Sequence, residues 1–576
     1  MRLRLATFWL LLFAAGTVGT LLSTSPAPAQ VRFRVAEVAE IENLISRGRK
    51  LEVENRWSEA LSLYEEALRE NPDNAEVQQH FDVARLHYDL GRRYNDNSFV
   101  NCLASMNETD AVDLYAEVML KIQSHHVDVP HWSELFNDGA TSLREALADP
   151  TFVNHHHLRP TAAQLSNYES QTRDIARGSS FATRHDLRDA VRQAALAAQS
   201  QVGVPFVAAV FEYLCGVTNS LDHYTAFLTG DQLDEVYNQI DGSFVGLGIE
   251  IRPENGALEV VRVIPGSPAE FGGMHEHDRI VAVDGQKTAD LNTDQAANLL
   301  QGPEGSVVEV TLQLPDRSAR RVRMRRAQVE VPSVEGVQIL DSHAGIGYLK
   351  ISSFQKTTSR ELDAALWKLH GEASKDRGDS NIIGMRGLVV DVRGNPGGLL
   401  DAAVEVADKF IEAGVIVSTR GRNPEEQGTY SAHRNGTWRV PLAVLIDGDS
   451  ASASEIFAGA IRDHHRGTII GTRSYGKGSV QGIFPMGRVN AGLRLTTAKF
   501  YSPNGLGFSH VGVSPDVLVH NVARPVIGEQ GGAIEQVASD PVHSTSANAS
   551  GDDPCLTTAL TRLRNASPQR YSASLR

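Results

Sequence analysis

The chain has 576 residues, 41% of them hydrophobic, and a formal net charge of −15 at pH 7. This length allows several domains with buried cores. The acidic balance argues against broad binding to nucleic acids or to anionic membranes, because such binding needs a basic face.

The N-terminus has the pattern of an export signal. Arg2 and Arg4 precede an apolar run from Leu5 to Leu22, and Ala27-Pro28-Ala29 fits an A-x-A site for signal peptidase. We therefore expect residues 1–29 to be a signal peptide and the protein to be exported, to the periplasm or another extracytoplasmic space. The apolar run is barely long enough to cross a bilayer, so any membrane attachment would come only through an uncleaved signal segment.

Helical patterns follow over residues 30–98. Within the segment Glu54 to Asp73, seven positions have the spacing of a tetratricopeptide repeat: Trp57, Ala60, Leu61, Tyr64, Ala67, Leu68 and Pro72. A single repeat cannot bury its own face, so it should stack on the flanking helices, and such a module could dock an adaptor protein. A plain helical hairpin fits the same pattern equally well.

A second helical region is predicted over residues 99–235, interrupted by a polar stretch from Asp149 to Arg184 that we expect to be irregular. This stretch contains His155, His156 and His157. Consecutive histidines do not share one helix face and have no carboxylates at ligand spacing, so we assign no metal to them.

The three cysteines are few and widely separated: Cys102, Cys215 and Cys555. They cannot form a disulfide framework or a zinc site, although one disulfide could form after export.

Glycine-rich turns mark the middle of the chain. Short strands are predicted from Gly242 to Leu314 and again from Gly347 to Phe354. A buried strand starting at Gly387 then runs into Asn395-Pro396-Gly397-Gly398. This turn can present unhindered backbone N–H groups, but an ordinary strand-to-helix turn has the same sequence pattern.

Three alternating serines, Ser450, Ser452 and Ser454, lie between the apolar run Leu442 to Ile446 and the helical pattern of Ala453 to Asp463. The first N–H groups of a helix lack intrahelical partners, so a serine at this junction lies where they can face a developing oxyanion. Serine is also a favoured helix cap, which is the simpler interpretation.

Lys477 adds a candidate base. It lies between Gly476 and Gly478, and burial can lower a lysine pKa to roughly 7 to 8, where the neutral amine accepts protons. The amide oxygen of Gln481 could orient that amine. The segment Gly471 to Gly478 also comes close to a phosphate-binding loop, but glycine replaces the hydroxyl residue that should follow the lysine.

The two motifs together resemble a known family. SASASE at Ser450 to Glu455, followed at this spacing by YGKGSVQ at Tyr475 to Gln481, resembles the carboxyl-terminal processing proteases, also called tail-specific proteases. The resemblance implies a mixed α/β fold with a crotonase- or ClpP-like core and an inserted PDZ domain. It also implies these roles: Ser452 as nucleophile, Lys477 as general base, Gln481 as the residue that holds the lysine, and Ala453 with Gly397 or Gly398 as the oxyanion hole.

The resemblance places the PDZ domain at residues 236–328. Its carboxylate loop and second strand would supply the substrate-binding residues, namely Val245, Gly246, Leu247, Gly248 and Ile249. Successive N–H groups in such a loop can hold a terminal carboxylate, while an extended peptide adds as a strand. The helix Asp294 to Leu300 would close the groove. His277 departs from the family pattern, which often has glycine before the aspartate.

The protease core is then expected at residues 329–525, followed by a flexible tail at 526–576 with a short helix from Asp553 to Leu563. The sequence predicts an exported serine endopeptidase that needs no cofactor and takes protein or peptide substrates with accessible C-termini. Two alternatives remain. One is a Ser-His-Asp triad using Asp463, His464 or His465; the other is a catalytically silent scaffold built from the repeat and the PDZ domain.

Overall fold

The computed structural model describes residues 29–71, 74–254, 256–290, 299–313, 318–375, 384–433, 435–519 and 553–566. The predictions that fall outside them concern the signal peptide up to residue 28, most of the helix predicted to close the PDZ groove, and the flexible tail 526–576 apart from residues 553–566. Two compact units divide the chain, one ending at Arg85 and the other beginning at Leu86. Across the described ranges, no helix has both the length and the apolar character of a membrane span.

The first unit is helical, as predicted. Helices α1 (Ala29–Val53) and α2 (Trp57–Glu70) are followed by α3 (Ala75–Tyr94), in which this unit ends. Tyr64 and Phe81 are buried in its core. Gly48 permits the close approach of α1 to α2, because a Cβ atom there would lie 2.2 Å from the Tyr64 ring. The assignment of these helices as a tetratricopeptide module stays a prediction.

The second unit begins with a helical region around α10. Its bounds are α4 (Asn97–Ser105), α5 (Glu108–His125), α6 (Trp132–Ala148), α7 (Pro150–His155), α8 (Ala162–Gly178), α9 (Arg184–Val202), α10 (Phe206–Leu221), strand β1 (Ala226–Leu228) and α11 (Gly230–Asp241). Helix α10 is buried along most of its length because nearly all of its residues are apolar or small. Cys102, Cys215 and Cys555 are free thiols, so the disulfide that export would allow is not formed.

The prediction that Asp149 to Arg184 is irregular was wrong, since α7 and α8 occupy much of it. Asp149 caps α7 by accepting a hydrogen bond from the N–H of Thr151, and Thr161 forms a capping box with Gln164 at the start of α8. Helix α8 buries only Tyr168 and Thr172. So narrow an apolar face leaves little helical periodicity in the sequence.

A small antiparallel domain follows. Its strands are β2 (Ser243–Gly246), β3 (Ile249–Glu254), β4 (Ala257–Val263), β5 (Arg279–Val283), β6 (Gln286–Lys287), β7 (Val307–Gln313), β8 (Ala319–Arg325) and β9 (Ala327–Glu330), with a short helix α12 (Pro268–Phe271). The order β3-β4-β5-β7-β8 leaves β3 at one edge, and β2 pairs with β9. His277 adopts a left-handed φ of 70°. It therefore takes the backbone conformation that glycine would supply, and its Nδ1 lies 2.8 Å from Glu259 Oε1.

The largest domain contains two sheets. The first has the order β10 (Val334–Asp341), β11 (Ile346–Ile351), β12 (Gly387–Asp391), β15 (Leu442–Ile446), β16 (Thr468–Gly471) and β19 (Val517–Leu518). All neighbours are parallel except β10 and β11. The second contains β1, β13 (Gly414–Gly421), β14 (Gly428–Ala432), β17 (Ser479–Pro485) and β18 (Gly492–Tyr501).

Helices complete this domain. They are α13 (Thr358–Lys375), α14 (Leu400–Asp408), α15 (Ala453–Asp463) and the C-terminal α16 (Pro554–Asn565). The first three share one hydrophobic core with the parallel sheet, and α16 contributes to a separate core with the same sheet. The mixed α/β class predicted from the sequence is confirmed, and the crotonase- or ClpP-like assignment stays a prediction.

Candidate active site

Ser452 lies at the sharp turn between strand β15 and helix α15. Its backbone has a φ of 54° and a ψ of −111°, a conformation that is strained for a residue with a Cβ atom. Ser450 and Ser454 are buried, and their hydroxyls donate to the carbonyl oxygens of Val392 (2.8 Å) and Asn395 (2.9 Å). Ser452, in contrast, is half-buried. Of the three alternating serines, it is the one placed to react.

A single carboxylate joins the serine turn to the lysine loop. Glu455 Oε2 accepts the N–H groups of Ser452 (2.8 Å) and Lys477 (2.9 Å). Its Oε1 accepts the N–H of Gly476 (2.6 Å) and the hydroxyl of Ser474 (2.7 Å). Glu455 is fully buried, and burial raises the pKa of its carboxyl, while the four hydrogen bonds act in the opposite direction. The backbones of Ser452 and Lys477 therefore have a common anchor.

Burial of Lys477 favours the neutral amine. Its Nζ also lies 4.6 Å from the centroid of the Tyr224 ring, a contact that by itself favours the charged ammonium. Burial, helped by the positive charge of Arg494, lowers the pKa of Lys477 to about 8, although Glu455 and Asp222 act to raise it. About a tenth of the amine is then uncharged at pH 7, and about half at pH 8.

Tyr224 reaches the lysine through a turn that Asp222 organises. The Asp222 carboxylate accepts the N–H groups of Tyr224 (2.7 Å) and Thr225 (2.8 Å). Arg494 Nε donates to the Tyr224 carbonyl oxygen (2.8 Å), and β1 pairs with β18 directly after this turn. This part of the site comes from the helical region, more than two hundred positions before Lys477 in the chain.

Gln481 lies in β17, next to β18. Its amide nitrogen donates to the hydroxyls of Ser479 (2.8 Å) and Thr496 (3.5 Å). Within the described part of the chain, no hydrogen bond joins the side chain of Lys477 to Gln481 or to Ser452. The orienting role of Gln481 therefore stays a prediction.

The glycine turn packs directly against Ser452. Asn395 is fully buried, and its carbonyl oxygen accepts the N–H of Ala451 (3.0 Å), while its Oδ1 accepts the N–H of Gly397 (2.8 Å). Gly397 and Gly398 have φ values of 110° and 135°, which favour glycine. A Cβ atom on Gly397 would lie 2.8 Å from the Cβ of Ser452. Only a glycine allows this contact.

The alternative chemistries do not fit the structure. Residues Asp463 and His464 lie at the far end of α15, where Asp463 accepts the N–H of Asn504 (3.2 Å) and His464 Nε2 lies 2.7 Å from the Val415 carbonyl oxygen. His465 follows them, and its N–H donates to the Arg462 carbonyl oxygen (2.9 Å). A phosphate-binding loop needs a helix after its lysine. Strand β17 begins two residues after Lys477 instead.

The predicted carboxylate loop connects β2 to the edge strand β3. Val245 and Gly246 end β2, the Leu247 side chain is buried, and Ile249 begins β3. The carbonyl oxygens of Leu247 and Gly248 each accept a backbone N–H, from Ala269 and Ile264 respectively, at 2.9 Å. Gly248 has a φ of 79°, and a Cβ there would lie 2.2 Å from Ser267 Cβ.

Sequence reasoning missed Glu455, Asn395, Tyr224 and Asp222. A signal existed for Glu455, because Ser-x-x-Glu before an apolar run is the pattern of a capping box. The sequence contains no comparable signal for Tyr224, since its role depends on the pairing of β1 with the distant β18.

Two family profiles and several known proteins are similar to parts of this chain. The profile of peptidase family S41 matches residues 345–519, and a PDZ domain profile matches residues 259–314. The carboxy-terminal-processing protease of Bartonella bacilliformis is 37% identical over 306 residues, which are 53% of this chain and 68% of that protein. The carboxyl-terminal-processing protease of Picosynechococcus sp. is 34% identical over 52% of this chain and 70% of its own length. Among solved structures, the photosystem II D1 C-terminal processing protease aligns with a TM-score of 0.36 and 25% identity, over 71% of this chain and 93% of its own.

Proposed function

The chain belongs to the carboxy-terminal-processing proteases of peptidase family S41, a family of serine peptidases with PDZ domains, and we propose that it works through a dyad of Ser452 and Lys477. The observation that carries this proposal is the shared anchor, since one oxygen of Glu455 accepts the backbone N–H groups of both residues. The neutral Lys477 amine takes the Ser452 proton, and the serine oxygen attacks the scissile carbonyl. As the tetrahedral intermediate collapses, the C–N bond breaks and the Lys477 ammonium gives its proton to the leaving amine; water then hydrolyses the acyl-enzyme.

We infer that the oxyanion hole uses the N–H groups of Gly398 and Ala453. The N–H of Gly397 already donates to Asn395. Phe354 and Gly398 form a parallel β-bridge, in which the Phe354 N–H donates to the Gly397 carbonyl oxygen and the Phe354 carbonyl oxygen accepts the N–H of Leu399. In such a bridge the N–H of Gly398 itself points away from Phe354. It donates to none of the described residues. Two N–H donors directed at one carbonyl oxygen would stabilise the charge that develops on a tetrahedral intermediate.

The PDZ domain would select substrates by their C-termini. Strand β3 has a neighbour on one side only within the described part of its sheet, so an extended tail can add beside it. The N–H groups of the loop around Leu247 to Ile249 would receive the terminal carboxylate. The export of the chain, the periplasmic or other extracytoplasmic location and the adaptor at the N-terminal helices belong to the same proposal. They rest on the sequence patterns alone.

A labelling experiment tests the proposed nucleophile. The full chain is incubated with an unfolded reporter that ends in an apolar tail, and separately with a fluorophosphonate probe whose site of attachment is mapped by mass spectrometry. We expect cleavage of the reporter and a single adduct on Ser452. An adduct on Ser450 or Ser454 would refute the assignment, and a wild-type protein that neither cleaves nor reacts would favour the silent scaffold.

The pH dependence tests the proposed base. A protonated Lys477 cannot accept the serine proton, so activity should be lost as the pH falls through the lysine pKa of about 8. We expect kcat/KM to rise about tenfold per pH unit below this value and to level off above it. Arg494→Gln removes a positive charge that opposes the ammonium, and should move the rise to higher pH. If kcat/KM rose near pH ~6.5, the ordinary range of histidine, and Arg494→Gln did not shift this rise, the titrating group would not be Lys477.

Tail recognition predicts sensitivity to the terminal charge of the substrate. Amidating the C-terminus of the reporter removes a charge-assisted hydrogen bond of about 1.5 to 3 kcal/mol, so KM should rise roughly ten- to a hundredfold while kcat changes little. The matched control is an isolated short peptide that carries the cleavage site without the tail, which should be cut equally in its acid and amide forms. Equal KM values for both long reporters would exclude carboxylate capture.

A further inference from the structure

The C-terminal helix α16 is attached to the protease core at both of its ends. Its apolar side chains Cys555, Ala559 and Leu563 share a core with the parallel sheet, which contributes Ile346, Val389, Ala443, Leu445 and Ile470. Near the end of the helix, Arg564 Nε donates to Asp341 Oδ2 at 2.7 Å. At its start, Asp553 caps the helix by accepting the N–H of Leu556 at 3.0 Å. The contacts of Asp553 extend beyond the helix.

Asp553 is also one half of a carboxylate clamp on Arg393. Its two oxygens accept hydrogen bonds from Arg393 Nη1 (3.2 Å) and Nη2 (2.8 Å). On the other side, Asp391 accepts from Arg393 Nη2 at 2.6 Å, from Nε at 3.0 Å and from the backbone N–H at 3.0 Å. The Tyr348 hydroxyl donates to the same Asp391 at 3.1 Å. The side chains of Arg393 and Asp391 are 19% and 3% exposed, so their ion pair is shielded from solvent, while the side chain of Asp553 is 34% exposed.

The clamped arginine lies at the start of the glycine turn. Asp391 is the last residue of β12, and Arg393 is followed directly by Gly394, whose N–H donates to Asp447 at 3.0 Å. The next residue is Asn395, which holds both Ala451 and Gly397. The position of Gly398 relative to Ser452 therefore depends on how firmly this corner is fixed.

We propose that Asp553 is a positioning residue for the oxyanion hole, through which the C-terminal helix holds the glycine turn in its working geometry. This inference rests on the proposed function, because it concerns the Gly398 donor. Oxyanion donors act within a narrow distance range of about 2.7 to 3.1 Å. Small displacements of the glycine turn should therefore lower kcat without unfolding the protein, because the apolar contacts of α16 do not involve Asp553.

The variant Asp553→Ser isolates this role, because serine is as good a helix cap as aspartate but is too short to reach Arg393 with a charge. Arg564→Gln is the matched control, since it removes the ion pair at the other end of α16. For Asp553→Ser we expect kcat to fall roughly tenfold, less than the 10² to 10³ expected for complete loss of an oxyanion donor. KM should match that of wild type, and the unfolding temperature should fall by about as much as in Arg564→Gln, because each variant breaks one ion pair of α16. Arg564→Gln should retain the wild-type kcat.

Labelling separates the two proposals. The rate at which the fluorophosphonate probe attaches to Ser452 should fall in Asp553→Ser in proportion to kcat, because the phosphoryl oxygen uses the same donors. Wild-type kcat in Asp553→Ser, or an equal loss in Arg564→Gln, would overturn the positioning role and leave the Ser-Lys dyad intact. A fall in kcat that disappears once the rate is corrected for the fraction of folded protein would also overturn it. Failure of the dyad itself would appear as full activity in a Ser452 variant.

Discussion

Ser452→Ala should abolish turnover, lowering kcat by on the order of 10⁴-fold or more, because the attacking oxygen is removed while the rest of the site remains. Neighbouring hydroxyls cannot substitute for it. Ser450 and Ser454 are buried, and each donates to a main-chain carbonyl oxygen. The measurement is single-turnover cleavage of the tailed reporter, together with binding of its C-terminal peptide. Binding should be unchanged, since the predicted tail site is in another domain.

The same position should show a conflict between stability and activity. Ser452 has a φ of 54°, so Ser452→Gly should relieve backbone strain and raise the free energy of unfolding by about 1 kcal/mol, while Ser452→Ala keeps the strain. Thermal unfolding of both variants beside wild type measures this difference. Cleavage by Ser452→Ala at more than a hundredth of the wild-type rate would contradict the nucleophile assignment. A glycine variant less stable than the alanine variant would contradict the strain.

Glu455→Ala should have the largest combined effect on stability and activity. It leaves four donors without their acceptor, namely the N–H groups of Ser452, Gly476 and Lys477 and the hydroxyl of Ser474. An unsatisfied buried donor costs about 1 to 3 kcal/mol, and relief from burying the carboxylate offsets part of the total. We expect a loss of roughly 3 kcal/mol or more in the free energy of unfolding, measured by urea denaturation. Turnover should fall at least a hundredfold, because the serine and the lysine lose their common anchor.

Glu361→Ala is the matched control for this prediction. Glu361 also accepts several hydrogen bonds with one oxygen, from the N–H and hydroxyl of Ser333 (2.7 and 2.9 Å) and from the N–H of Val334 (3.1 Å). Its loss should lower stability without a comparable fall in kcat for the protein that remains folded. If Glu361→Ala lowered kcat as much as Glu455→Ala does for the same loss in the free energy of unfolding, Glu455 would have only a structural role.

The sequence predicted the secondary structure around the serine because local signals coincide there. The apolar run of β15, the alternating serines and the periodicity of α15 agree with one another, so the observed bounds of both elements match the predicted ones. The PDZ strands were similarly visible from their glycine turns. Helices α7 and α8 were missed, because their capping residues and few buried side chains resemble a polar loop.

Long-range contacts are what the sequence could not supply. The proximity of Tyr224 to Lys477 follows from strand pairing between β1 and β18, and the clamp on Arg393 needs Asp553 from the other end of the chain. Each of these residues is ordinary in its local sequence. Both glycines of the turn fit the same motif, so our proposal of Gly398 over Gly397 as oxyanion donor uses the hydrogen-bond partners of their N–H groups, which the sequence does not give.

The contact between Gly397 and Ser452 limits how this enzyme can discriminate among peptide bonds. A side chain at position 397 would collide with the serine, so this position presents only main chain beside the proposed nucleophile. Main-chain atoms bind the peptide backbone of a substrate and do not distinguish between its side chains. We therefore expect cleavage products with heterogeneous termini and little sequence consensus around the cleaved bond. Substrate selection would then depend on contacts far from that bond.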